Sequence, residues 1–527
     1  MENRKTGIMK FNKTYTEVLY LILAAFVIVL FASRSSALYP CNDWNDANSY
    51  FSVGKGLFNG KVPYRDIFDQ KGMYLYFFYG LAYLVSHTTF RGVFLLEWIL
   101  AAADLLAVFK ILQLYLRRST ALVLTPPVLA VAFASQSFYW GGSAEEVCLP
   151  FLLWGLYLSL RYFKKEYPDR SMDGKTLFLC GVLAGMVANI KFTSLGFFLA
   201  WMMCIAFAFL ARKEVLGAVR ACAVFLFGMA LPFVPWVIYF AVNHALYYWY
   251  WGYVYINVFA YSNLTGEGPG LYERIYTLSK LLYWVIRKNL CYFVFVIPGV
   301  LYEFFGKGRG GQRRLLPMYN ICALCFFLFL GIYVGGSELP YYALPLSIFA
   351  VLGFALLGRI GESLSEKLIK KQEEKGNDKP QTGKPFRPET VQAFRGILSL
   401  CLCAGLIYSF SVNTPFMQVK KEDHFLYRFQ KIVEQEENPT LLNIGCLDAG
   451  LYTVCDIVPT CQWFQTQTVI MDTVLSEQER YIREGQVTFV LARDSYPDVI
   501  WDKYELADSV LWDQGGQEFT YYLFRKK

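Results

Sequence analysis

The chain has 527 residues, of which 55% are hydrophobic, 18% aromatic and only 17% charged. An ordinary soluble protein carries about a quarter charged residues, so a soluble enzyme is excluded as the default reading. The net charge of +8 does not signal a nucleic-acid partner. The basic residues cluster between apolar blocks, where the bias of cytoplasmic loops toward Lys and Arg accounts for them.

The apolar blocks run for roughly 18 to 25 residues, the length needed to cross a bilayer. The expected fold is therefore an α-helical polytopic membrane protein. Residues 1–13 are short and basic and lead into an apolar run near Val18. "SRSSA" is a weak cleavage site, so this run is read as an uncleaved first helix rather than a signal peptide. The expected crossings are 15–33, 92–116, 120–137, 146–163, 176–190, 192–211, 215–242, 284–305, 314–334, 340–358 and 394–412.

The segment "MYLYFFYGLAYLVSH" (73–87) is aromatic and short for a crossing. If it stays on one face, the basic loops 4–13, 117–118, 161–175, 212–213, 307–314 and 359–387 all fall on one side. That side is the cytoplasm by the positive-inside rule. Residues 73–87 are therefore expected to be an interfacial or re-entrant helix on the outer face. This gives eleven crossings, with the N-terminus in and the C-terminus out. The stretch 366–389 is charged and contains Pro and Gly, and is expected to be a disordered cytoplasmic linker. No internal repeat is visible, which argues against folds built from inverted halves.

Composition changes near residue 413. "TLLNIGCL", "VTFVLAR" and "EFTYYLFRK" read as strands, and "DTVLSEQERYIREG" as an amphipathic helix. The expected division is a membrane module over 1–412 and a small extracytoplasmic α/β domain over 413–527. The turn "GCLDAG" (445–450) is read as a tight strand–helix turn in preference to a phosphate loop. The thirteen cysteines mostly sit in apolar blocks as small hydrophobes. Cys446, Cys455 and Cys461 could pair in an exterior tail, but no disulfide framework is evident. Three well-separated histidines argue against a His-rich metal site.

Candidate site residues lie in the expected outer loops. "DANSYFSVGKGLFNG" places Tyr50, Val53 and Leu57 on one helical face, with Asp46 near its first turn. Such a helix would lie along the membrane, and Asp46 there could equally be a dipole partner. Glu145 and Glu146 open a later helix; acids at the lip of a membrane cavity are functional candidates by default. Lys71 could hold a lipid phosphate or snorkel. Lys191 interrupts apolar sequence, so it should face a cavity, a partner or a hydrated turn. The aromatic stretch 243–276 could stack on sugars or form an interfacial belt, and 335–346 adds Glu338, Tyr341 and Tyr342 on the same face. "NLT" at 263 fits a glycosylation sequon, a weak signal.

Asp46, Tyr50, Gly60, the "PYRD" run Pro63, Tyr64, Arg65 and Asp66, then Lys71–Gly72 before an aromatic helix, Glu145–Glu146, and "GVLAGMVANIKFT" (181–193) together form an ordered set. In this arrangement the chain resembles the GT-C superfamily of membrane glycosyltransferases, near bacterial protein O-mannosyltransferases and lipid A aminoarabinose transferases. The likeness covers residues 15 to about 360 and is strongest over the first 195. It implies a bacterial plasma-membrane enzyme that moves a sugar, with inversion, from a polyprenyl phosphate to a wall polymer, glycolipid or protein on the outer face. It implies Asp46 as general base, with Asp43 as rival because "DA" stands where relatives carry "DE". Lys71, Arg65 and Lys191 would hold the donor phosphate. Glu145 or Glu146 would orient the acceptor or the outer loop. Tyr50, Tyr64, Asp66, Asp69, Tyr341 and Tyr342 would contact the acceptor or sugar. No cofactor is evident, and a divalent metal stays open. Two alternatives stand beside this reading: a transporter or flippase for a lipid-linked sugar, and a non-enzymatic envelope protein whose tail binds glycans.

Overall fold

The computed structural model describes residues 2–260, 270–306, 315–374, 388–468 and 471–527. The sequon at 263 and the basic loop 307–314 lie outside them. All eleven expected crossings fall on helices. They are α1 (Glu2–Ala32), α4 (Arg91–Leu112), α5 (Arg118–Phe133), α6 (Ala144–Lys165), α7 (Gly174–Ala188), α8 (Leu195–Ala211), the α9–α10 pair (Val215–Ala230 and Val234–Val242), and four more helices downstream. After the short α11 (Leu246–Trp249) and a π-helical run (Tyr250–Ala260) come α12 (Leu271–Lys288), α13 (Leu290–Phe305), α14 (Leu315–Tyr333), α15 (Ala350–Glu374) and α16 (Pro388–Phe410).

The eleven expected crossings are not all of full membrane length. Among the described residues, seven helices are long and apolar enough to cross a membrane, or eight if the bent pair Tyr272–Lys288 and Leu290–Phe305 is one span. The helices α5 and α7 have 16 and 15 residues. At 1.5 Å per residue they fall short of a roughly 30 Å hydrocarbon core. The α12–α13 pair turns by 112° at Asn289, so the expected span 284–305 begins only at Leu290. The expected linker is also partly corrected: α15 continues through Glu374. Its Glu366, Lys367, Lys370 and Lys371 are good helix formers with opposite charges four apart. The remainder, 375–387, lies outside the described residues.

The helix ends sort into two faces. At one, Arg118 pairs with Glu17, Arg117 with Glu366, and Lys164 with Glu303 at 3.3 Å. The other gathers the loops that follow α1, α5, α7 and α14. Both ends of α3 (Met73–Val85) belong to this second face. At its start Tyr74 N–H donates to Asn189 O, beyond the end of α7. Just past its other end His87 lies 3.4 Å from Asp456 of the C-terminal tail. Segment 73–87 therefore does not run from one face to the other.

The tail forms a four-stranded sheet in the order β1-β2-β4-β3. Here β1 is Leu441–Ile444, β2 Phe489–Arg493, β3 Tyr504–Asp513 and β4 Glu518–Lys526. The three strands and the helix α19 (Asp472–Glu484) expected from sequence are present, between the shorter α17 (Phe425–Val433) and α18 (Leu451–Val454) and a final turn α20 (Ile500–Lys503). Strand β3 escaped the sequence because it is an edge, exposed along most of its length. Its neighbour β4 is reached through a turn containing Gly515 and Gly516, both at positive φ. All thirteen cysteines are free.

The helix α2 (Asn45–Phe58) forms as the apolar spacing predicts, and both of its faces are covered by protein. It is sandwiched between α3 and the tail, with Asp46 through Gly56 all buried. Ser49 Oγ donates to Gln465 at 2.6 Å and Ser52 Oγ to Asp448 at 2.6 Å. Lys55 donates to Tyr452 O and pairs with Asp456, both at 3.0 Å. The turn 445–450 is therefore a docking element. Gly450, at φ 105°, lets its N–H reach Asp448 Oδ1 at 2.8 Å.

Candidate functional site

A polar cluster assembles where α2, the 59–72 loop, the start of α6, the end of α7 and the Pro340–Phe349 segment meet. Asp46 opens α2, where the exposed N–H groups of a helix favour a carboxylate. Its Oδ2 accepts a hydrogen bond from Tyr341 at 2.6 Å, across 295 positions of sequence. Tyr341 begins a 3₁₀ turn that Pro340 initiates by fixing φ.

Lys71 ends the 59–72 loop, which is held from several sides. Tyr64 OH donates to Lys71 O at 2.5 Å, and Lys71 N–H donates to Tyr76 OH at 2.7 Å. Tyr76 OH in turn donates to Asp69 at 2.8 Å. Burial works against the Lys71 charge, but the nearby Asp46 and Asp69 carboxylates outweigh it and raise the ammonium above the usual lysine value. Burial pushes Asp69 upward.

Lys191 follows the end of α7 and pairs with Glu145 on α6. Its ammonium also sits 3.9 Å from the centre of the Tyr342 ring and 5.3 Å from that of Tyr341, both cation–π distances. Tyr50 is fully buried, edge-on to Tyr79 at 5.6 Å, and its hydroxyl has no hydrogen-bond partner among the described residues. Asp46, Asp69 and Glu145 are all near enough to raise its pKa further, after burial as the larger cause.

Other sequence candidates go elsewhere. Asp43 is buried against Arg34 at 2.7 Å, with His424 at 3.5 Å. Although burial would raise it, those two groups hold its carboxyl at about 2. Arg34 also donates to Asn413 and lies over the Trp140 and Phe416 rings, so Asp43 belongs to a buried anchor between α1 and the tail. Adjacent Glu145 and Glu146 separate because successive helical residues point about 100° apart. Glu146 accepts from Gly142 N–H at 2.8 Å, and its own N–H is capped by Ser143. Arg65 pairs with Asp66 at 2.8 Å and donates to Asn243 O at 2.7 Å, while Asp66 caps Val62 N–H. Those contacts brace the loop and leave neither residue among the cluster's contacts. Tyr64 is fully buried and also serves as scaffold.

Two cluster residues were missed. Trp44 stacks edge-on against Tyr341 at 4.9 Å and against Tyr139 at 5.2 Å, walling the Asp46 side. Trp44 lies two positions from Asp46, so an aromatic beside a candidate acid was a usable signal. Tyr139, at φ 58°, had none.

No family model matches the sequence, and a search of curated proteins finds no match. Solved structures do match. ArnT from Cupriavidus metallidurans bound to undecaprenyl phosphate is 13% identical with a TM-score of 0.56, covering 96% of this chain and 97% of that one. Its apo state is 12% identical with a TM-score of 0.54, covering 97% and 98%. An oligosaccharyltransferase from Archaeoglobus fulgidus overlays more loosely, at 14% identity and a TM-score of 0.49, over 90% and 67%.

Proposed function

We propose, from a chain that carries the GT-C fold, that this protein is a membrane glycosyltransferase. It would take a sugar from a polyprenyl-phosphate donor and deliver it, with inversion, to a hydroxyl of a wall polymer, glycolipid or protein. The chemistry would occur at the outer face of a bacterial plasma membrane, with the tail also outside. The observation that carries this reading is the convergence of Asp46, Tyr341, Lys71, Lys191 and Glu145 at one end of the helix bundle.

In this reading Asp46 is the general base. The Tyr341 hydroxyl occupies Oδ2 and orients the carboxylate, leaving Oδ1 for the acceptor hydroxyl. As the new glycosidic bond forms, the acceptor proton passes to Asp46 and the bond to the lipid phosphate breaks. Charge then builds on the departing phosphate. Lys71, which makes no ion pair among the described residues, and Lys191, released from Glu145, are placed to stabilise it. Tyr50, Tyr341 and Tyr342 offer ring faces and hydroxyls to the sugar or acceptor. The undecaprenyl phosphate held by ArnT supports a lipid-linked donor here. The reading needs no nucleotide, because the lipid carries the activated sugar.

The test uses vesicles holding purified protein, labelled donor lipid and an envelope extract, with and without chelator to score a divalent-metal requirement. Asp46→Asn is expected to lower transfer by about 10²–10⁴-fold while donor binding persists. Full turnover by that variant would refute the assignment. Donor lipid moved across the bilayer without sugar transfer would instead support a flippase.

A further inference from the structure

A cavity of about 270 Å³ lies outside the Asp46–Lys71 cluster, on the other side of α2. Asn48 lines it. Asp46, two residues and about 200° around the helix, faces Tyr341. The volume is on the order of nine water molecules. Its walls come from three parts of the fold: the loop 34–42 after α1, Thr88 to Arg91 at the start of α4, and tail residues around Lys421, Tyr427 and Thr453.

The lining contains Arg34, Arg91 and Lys421 and no carboxylate. Arg34 is committed to Asp43 and Asn413. Arg91 and Lys421 have no acidic partner among the described residues; Lys421 rests only over the Tyr427 ring at 4.4 Å. Arg91 is also the first residue of α4, a 22-residue helix whose N-terminus adds partial positive charge. Two uncommitted cations at this cavity, beside a helix start, are complementary to an anion.

The surroundings identify the source. Leu81, Leu84 and Val85 on the last turns of α3 are exposed, and that run ends three residues before Thr88. Leu38 is exposed beside Ala37, which lines the cavity. Apolar surface next to a cationic pocket suits a phosphate headgroup with its chains alongside. We infer that this cavity is a second binding site, taking the phosphate of an anionic phospholipid. An occupant would touch the loop, α4 and the tail together, and would clamp the tail to the membrane module. The inference stands apart from the transferase reading, because its readout is lipid retention.

The experiment compares full-length protein in phosphatidylcholine nanodiscs with protein in discs that also contain phosphatidylglycerol. Native mass spectrometry counts retained lipid and a thermal scan reports stability. Wild type is expected to retain phosphatidylglycerol selectively and to melt higher in its presence. Arg91→Gln with Lys421→Gln should lower that retention about tenfold or more, the ratio given by losing one charge-assisted contact. Both side chains are exposed, so this variant should melt like wild type in phosphatidylcholine alone. Arg91→Lys with Lys421→Arg, which keeps the charge, should retain the lipid. Stabilisation of wild type by glycerol phosphate in phosphatidylcholine discs would uphold the phosphate site and assign it a soluble source. Equal phosphatidylglycerol retention by wild type and the neutral variant, with no response to glycerol phosphate, would overturn it.

Discussion

Gly72 links Lys71 to α3 and lies against the backbone that leads to Lys191, so a methyl group there probes the whole site. A Cβ at Gly72 would stand 2.1 Å from Asn189 O and 2.3 Å from Asn189 C, whereas ordinary contact begins at 3.4 Å. The two backbones must part by about 1.3 Å, since neither is a flexible side chain. That movement loosens the bonds from Gly72 N–H to Ile190 O and from Tyr74 N–H to Asn189 O, each 3.2 Å. Two weakened backbone bonds cost about 0.5–1.5 kcal/mol each. Overpacking adds about 1–3 kcal/mol. Gly72→Ala is therefore expected to destabilise the protein by about 2–6 kcal/mol. Because Lys71 precedes Gly72 and Lys191 follows Ile190, the two ammonium groups should also separate by about 1 Å, worth on the order of 10²-fold in turnover. The assay is sugar transfer in vesicles beside a thermal melt. Gly174→Ala is the control: its Cβ meets open space, and it should be neutral or stabilising by about 0.4–1 kcal/mol. Wild-type turnover and melting by Gly72→Ala would show that the Lys71–Lys191 spacing does not depend on this contact.

Two further outcomes concern the anchoring of the tail. Arg34→Gln leaves Asp43 buried without its main counter-charge and should cost about 3–5 kcal/mol by denaturant titration; a loss below 1 kcal/mol would mean His424 alone suffices. Burial raises the Asp448 carboxyl from 3.8 to about 6, even though Ser52 and Gly450 N–H bond to it. Its proton is thus held more tightly in the folded state. Stability from this group is fully present below about pH 3.8, falls by about 3 kcal/mol as pH rises to about 6, and is level above that. Asp448→Asn should remove that slope between pH 4 and 6.5, and melting curves for the two proteins that stay parallel across this range would count against it.

Parts of the site were legible one segment at a time. Asp46, Lys71 and Lys191 each stand out as charge set against apolar or aromatic sequence, and burying a charge costs too much to happen without a role or a partner. The spacing of Tyr50, Val53 and Leu57 marked α2 as a helix. Which neighbour would cover it was not marked. Its other face carries Asn48, Ser52 and Lys55, polar residues that read as solvent-facing until the tail meets them with Thr453, Asp448 and Asp456. Arg65 looked like a phosphate ligand and Asp66 like an acceptor or sugar contact, but the two satisfy one another locally. The α12–α13 bend was hidden because both arms are individually acceptable helices on either side of Asn289.

By itself the sequence determined a bundle of apolar helices, one face rich in base and the other in acid, aromatic rings and a folded tail. Hydropathy and charge act residue by residue along the chain, so their pattern survives without coordinates. Only the tertiary structure decided that Tyr341 meets Asp46, that Glu145 rather than Glu146 meets Lys191, and that Asp43 is spent on Arg34. Those choices depend on helix rotation and on contacts between residues tens to hundreds of positions apart, where a turn of 100° sends neighbouring carboxylates to different partners.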